Sequence, residues 1–136
     1  MSVLVDSTIW SMAFRRKTVL APEVTVLSQL IRHGKAQIIG PVRQEVLSGI
    51  RESNQFDRIR VQLAPFPDLQ LSRAHYERAA EFSNLCRARG IQGSNTDFLI
   101  CAVSDLNQLE IYTTDRDFQH FTRLLPIQLF KPPDVP

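Results

Sequence analysis

MSVLVDSTIW (residues 1–10) places three consecutive apolar residues, Val3–Val5, directly before Asp6, Ser7 and Thr8. An unbroken aliphatic run of this kind reads as a strand covered on both faces, as in a parallel sheet. A carboxylate at the end of such a strand is costly unless something pairs with it. Two readings follow. Asp6 is the N-cap of a helix over Thr8–Phe14, satisfying a free backbone N–H, or it is a ligand for a metal ion. One aspartate does not decide between them; carboxylates in equivalent places would.

Outward from this stretch, helical and strand signals alternate. A basic loop, RRKT, follows the first helix. Pro22 opens a helix that runs to His33 and stops at Gly34, with Val24, Leu27, Leu30 and Ile31 at helical spacing. AQIIG reads as a second strand, and Pro41 opens a helix through about Ile50. An amphipathic helix over Asn54–Leu63 comes next, then a short edge strand at Leu69–Leu71 in the proline-bearing PFPDLQL. Ser72 caps a helix over Arg73–Arg89 that Gly90 ends. After the loop GIQGSN come a helix over Thr96–Leu106, a strand over Leu109–Thr113, a short helix in RDFQHF and a last strand in IQLF. The alternation predicts an α/β fold, a single domain over residues 1–131 with a mainly parallel central sheet flanked by helices, and a proline-rich tail at 132–136.

Parallel sheets bind ligands outside the carboxyl ends of their strands. Asp6, Asp115 and Glu45 each follow a predicted strand, and Asp97 starts a helix whose apolar residues mark it as core. Each has an ordinary role available, as an N-cap or a first-turn acid. Together at one edge they would repel and raise one another's pKa. A divalent cation relieves that conflict. Mg²⁺ and Mn²⁺ prefer hard oxygen ligands, and a metal-bound water serves as nucleophile in phosphodiester hydrolysis.

Composition sets the limits. The 136 residues suit one domain, and 43% apolar content suffices for a core. The longest apolar run, Phe98–Val103, has six residues, far short of a membrane span. Asp6 interrupts the early apolar stretch with no basic residue before it, unlike a signal peptide; a cytoplasmic location is the expectation. Cys86 and Cys101 lack metal spacing and read as buried thiols. A net charge of +2 permits a nucleic-acid partner without requiring one.

Four segments, VLVDSTIW, PVRQEVLSGI, GIQGSNTDFLICAVS and IYTTDRDFQHF, carry a resemblance over nearly the whole chain. In this order and at these spacings the chain resembles the PIN-domain ribonucleases, and among them the VapC-type toxins of type II toxin–antitoxin pairs. The resemblance implies Mg²⁺- or Mn²⁺-dependent endonucleolytic cleavage of RNA. It implies Asp6, Glu45, Asp97 and Asp115 as the catalytic acids, with Asp6, Asp97 and Asp115 on the metal and Glu45 completing the site or positioning the attacking water. Thr113 is expected to orient a neighbouring carboxylate, and Ser7 to position Asp6 or simply begin the helix. Asp117 is an extra acid whose ordinary reading, a solvated first-turn residue, is the better one. The resemblance also implies an antitoxin partner and a homodimer.

Arg15, Arg16 and Lys17 are candidates for RNA phosphates, against the ordinary reading of solvated surface charge. Trp10 and Phe14 suit a core role better than base stacking. Rival readings are a housekeeping RNA-processing nuclease without antitoxin, a non-catalytic RNA- or protein-binding domain of the same fold, and a phosphoacceptor domain. The haloacid-dehalogenase type of phosphoacceptor has an aspartate two residues after the first; this chain has Thr8.

Overall fold

The computed structural model describes residues 2–15 and 21–133. At its centre is β1 (Val3–Val5), flanked by β2 (Ala36–Gln37) and β3 (Glu110–Tyr112), both parallel to it, in the order β2-β1-β3. All three residues of β1 are buried, as a central strand covered on both faces requires. Val5 lies opposite Tyr112, and the Asp6 N–H donates to the Tyr112 carbonyl at 2.9 Å. This register sets the next residues of the two strands, Asp6 and Thr113, beside each other just past the ladder.

Seven helices among the described residues surround the sheet: α1 (Ser7–Trp10), α2 (Pro22–Arg32), α3 (Gly40–Leu47), α4 (Ser53–Leu63), α5 (Arg73–Ala88), α6 (Asn95–Asn107) and α7 (Asp117–Phe121). The first helix starts at Ser7 rather than Thr8 and widens into a π-helical turn over Ser11–Arg15. Trp10 at its end is fully buried; its Nε1–H donates to the Val5 carbonyl at 3.1 Å and its ring contacts Phe14 and Phe66. The α6 helix is buried from Phe98 through Ser104 and packs along α5. Helix α5 begins with a reciprocal cap: the Ser72 N–H donates to His75 Nδ1, while His75 Nε2 meets Asn107 Oδ1 at 2.7 Å. Gly93 lies in the loop before α6, where a Cβ would come within 2.7 Å of the Phe121 ring and 3.0 Å of the Phe98 ring. Among the described residues no helix is long and apolar enough to cross a membrane.

Of the expected strands, one is cut short and two are not there as strands. AQIIG contributes only Ala36–Gln37 to the ladder; Ile38 makes an isolated parallel bridge to Asp68, and α3 starts at Gly40. The edge strand expected at Leu69–Leu71 is replaced by that one bridge. Its neighbours Pro65 and Pro67 have no N–H for a ladder. The Arg43 guanidinium bonds the carbonyls of Leu63, at 2.9 Å, and Phe66, and pairs with Asp68 at 3.0 Å. A side chain thus does the work that a neighbouring strand would have done. IQLF is reduced to a bridge between Leu129 and Ile111, with Ile111 N–H donating to Gln128 and Phe130 N–H to Ile111.

Candidate acidic site at the carboxyl edge of the sheet

Asp6 occupies the N-cap position of α1 but makes no side-chain capping hydrogen bond. Its carboxylate is instead held by hydroxyls. Oδ2 accepts from Thr113 Oγ1 at 2.7 Å and from Thr8 Oγ1 at 3.0 Å. The residue is only 3% exposed. Burial raises its pKa above the ordinary carboxylate value, the Thr113 and Thr8 hydroxyls pull it back, and the charge of Glu45 adds a smaller upward push.

Thr113 links two strands' worth of chemistry. Besides donating to Asp6, its Oγ1 accepts the Asp115 N–H at 2.9 Å. Asp115 Oδ1 accepts the Asp117 N–H at 2.9 Å, which turns the chain into α7. Asp117 itself is exposed, at the start of that helix.

Glu45 is exposed and sits at the sixth position of α3, beyond the first turn where the sequence reading put it. It is reached by Ser7, whose Oγ donates to Glu45 Oε1 at 2.5 Å and lies 3.4 Å from Asp6 Oδ1. A hydroxyl has one proton, so Ser7 orients Glu45 more than Asp6.

Asp97 is the third residue of α6 and closes a reciprocal cap: Ser94 N–H donates to Asp97 Oδ2 at 3.0 Å, and Asp97 N–H to Ser94 Oγ at 3.1 Å. This is the ordinary helix-start role. Its pKa is nonetheless pushed up to about 6, first by burial and then by the charges of Asp6 and Asp115, against the pull of the Ser94 bonds. The structure therefore brings Asp97 within electrostatic reach of both Asp6 and Asp115, and joins Glu45 to Asp6 through Ser7.

Among the described residues no group of three or more His, Cys, Asp or Glu side chains converges closely enough to cage a metal ion. The donors suit a hydrated ion instead. Mg²⁺ keeps several waters and needs one or two protein carboxylates. The carboxylates at this edge are hard oxygen donors that repel one another, the chemistry that favours such an ion.

Of the basic candidates, Arg15 donates to the Ser48 carbonyl at 3.2 Å at the end of α3. Arg16 and Lys17 lie outside the described residues. A cleft of about 280 Å³ is lined by Ser83, Arg87, Ile91, Gln92, Gly93 and Phe98, the chain neighbours of the α6 capping pair among them. Gly93 precedes Ser94 and Phe98 follows Asp97. A roomier cleft of about 460 Å³ opens at the opposite end of β3, around Gln108–Glu110, and touches none of the acids above. Sequence reading missed Thr8. The available signal was a hydroxyl two residues after a strand-ending aspartate, the mirror of Thr113 two residues before Asp115.

No protein-family model matches the chain, and no curated protein does. Solved structures do. VapBC2 of Rickettsia felis, determined bound to a DNA fragment from its promoter, superposes with a TM-score of 0.75 at 15% identity over 96% of this chain and 98% of that one. FitAcB of Neisseria gonorrhoeae gives 0.71 at 17% identity over 96% and 97%. A toxin–antitoxin complex of Klebsiella pneumoniae gives 0.62 at 22% identity over 86% and 90%. Likenesses at these identities show a shared fold.

They also correct the sequence reading. The resemblance pointed to the PIN-domain ribonucleases and to a VapC-type toxin. One neighbour is named a toxin–antitoxin complex, not a ribonuclease, and the 136-residue chain has three sheet strands among its described residues where five were expected. The nuclease-family identity is withdrawn; what stands is a fold shared with these structures, one of them a toxin–antitoxin complex.

Proposed function

We propose, from the site's own chemistry, that the chain is an Mg²⁺- or Mn²⁺-dependent endoribonuclease hydrolysing RNA phosphodiester bonds. The observation that carries this reading is that Asp97 lies in the field of both Asp6 and Asp115 at the carboxyl edge of a parallel sheet. Like charges buried together are costly, and a divalent cation relieves the cost. Asp6, Asp97 and Asp115 would hold the ion, in part through its bound waters. Bound there, it supplies an activated water and stabilises charge on a phosphoryl oxygen. Thr113 fixes the Asp6 carboxylate. Glu45, oriented by Ser7, is suited to accept a proton from the attacking water. The Arg87 side chain, which has no ion pair or hydrogen bond among the described residues, offers a guanidinium for a flanking phosphate in the cleft that Phe98, the neighbour of Asp97, also lines.

The test is cleavage of structured RNA by purified chain, with Mg²⁺ or Mn²⁺ and then with EDTA, beside Asp97→Asn. Discrete cuts that need both metal and Asp97 support the proposal. Cutting that survives EDTA or Asp97→Asn at the wild-type rate sinks it. A protein partner is proposed as well, on the ground that one structural neighbour is a toxin–antitoxin complex. Co-purification of the untagged chain from its source with a second small protein would support that. Recovery of the chain alone, at the mass of a monomer or dimer, would count against it.

A further inference from the structure

The two oxygens of the Asp6 carboxylate are not equivalent. Oδ2 receives two hydroxyl protons, from Thr113 at 2.7 Å and Thr8 at 3.0 Å. Oδ1 meets no side chain but the Ser7 hydroxyl at 3.4 Å, and that proton goes to Glu45 at 2.5 Å; the Ser7 backbone N–H adds a weaker pull on the carboxylate. Thr8 is tied on its other side too: its Oγ1 accepts the Thr114 N–H at 3.3 Å and lies 3.4 Å from Thr113 Oγ1. Thr8 is the second residue of α1, where a hydroxyl ordinarily serves its own helix. Here it crosses to the loop after β3 instead.

We infer that Thr8 is a positioning residue of the acidic site: with Thr113 it saturates Asp6 Oδ2, leaving Oδ1 as the oxygen with lone pairs free for a divalent cation. This rests on the metal-dependent reading above. Threonine suits the position because each hydroxyl donates one proton and still accepts one. Thr8 therefore bonds the carboxylate and the Thr114 N–H at once, coupling the end of β1 to the segment carrying Asp115. Groups that orient a metal-binding carboxylate typically change metal affinity by about 10- to 100-fold when removed.

The experiment uses the full chain without RNA. Mn²⁺ is titrated into wild type, Thr8→Val, Thr8→Ser and Asp6→Asn, and hydrogen exchange of the Thr114 amide is followed in the metal-free proteins. Thr8→Val should weaken Mn²⁺ binding about tenfold or more and speed Thr114 exchange. Thr8→Ser, which keeps the hydroxyl, should restore both. Thr8→Val binding Mn²⁺ as tightly as wild type, while Asp6→Asn loses it, overturns the assignment of Thr8 and leaves the metal reading intact. A folded Thr8→Val that melts lower but binds Mn²⁺ normally makes Thr8 structural only, which also overturns it. Wild type that takes up no Mn²⁺ overturns the metal reading and this inference with it. If Thr8→Val does not fold, Thr8→Ala, which removes the hydroxyl and adds no apolar bulk, is read by the same criteria.

Discussion

Asp97 both caps a helix and lies in the field of two other carboxylates, and the two roles oppose each other. The cap favours its ionised form; burial and the charges of Asp6 and Asp115 favour the neutral one. The balance leaves its pKa at about 6, above the ordinary 3.8. A group raised in this way contributes stability that is fully present below pH 3.8 and is lost as pH rises through 6. At pH 7 and without metal, Asp97→Asn should therefore stabilise the fold, by on the order of 1–2 kcal/mol once solvent screening is allowed for. The asparagine can still accept the Ser94 N–H. The advantage should shrink as pH falls from 7 to 4, read as the difference in denaturant midpoint between the two proteins. A destabilised Asp97→Asn at pH 7 would mean the cap outweighs the field.

Arg43 decides the shape of a segment that no periodicity announces. Its guanidinium replaces a strand neighbour for residues 63–68 by taking two carbonyls and Asp68. Arg43→Met keeps most of the aliphatic length and removes the donors. It should cost about 1–3 kcal/mol, the range for stranding buried acceptors, and exchange of the Leu69 amide, which donates to Ile38, should quicken. Thermal melts and amide exchange check both. Elements legible in the sequence carry their own punctuation: α2 with Pro22 and Gly34, α5 with Ser72 and Gly90, α6 with Asp97 at its start and its apolar run. Those misread are held from outside. AQIIG looked like a full strand because Ile38 and Ile39 are apolar, yet both are buried beyond a two-residue ladder that gives way to helix at Gly40. At the candidate site, Asp6, Glu45 and Asp115 stood out by following strands and Asp97 by starting a core helix. Thr8 did not, because its significance depends on Thr114 being beside it, a long-range fact set by the β1–β3 register.

The sheet and its helices act as one frame for four carboxylates drawn from distant parts of the chain. Such an arrangement gives ligand and stability a common origin: whatever cation binds the folded chain and not the unfolded one stabilises it by mass action. Wild-type protein in Mn²⁺ at a hundredfold excess over its dissociation constant should gain about 2.7 kcal/mol, seen as a rise in melting temperature that EDTA reverses. Asp6→Asn should show little of it. An equal rise in both would place the ion elsewhere.

Cys86 on α5 and Cys101 on α6 are both buried free thiols. Burial pushes the Cys101 thiol up, and the charges of Asp97, Cys86 and Asp6 push it further. Only a thiolate reacts readily with alkylating agents, so Cys101 is doubly silent while the helices stay closed. Its alkylation rate is therefore a clock for the opening of α6, built in beneath the carboxylates with no label added. Mn²⁺ should slow that clock in wild type and leave it unchanged in Asp6→Asn. A rate insensitive to Mn²⁺ in wild type would mean that α6 opens without regard to what the acids hold.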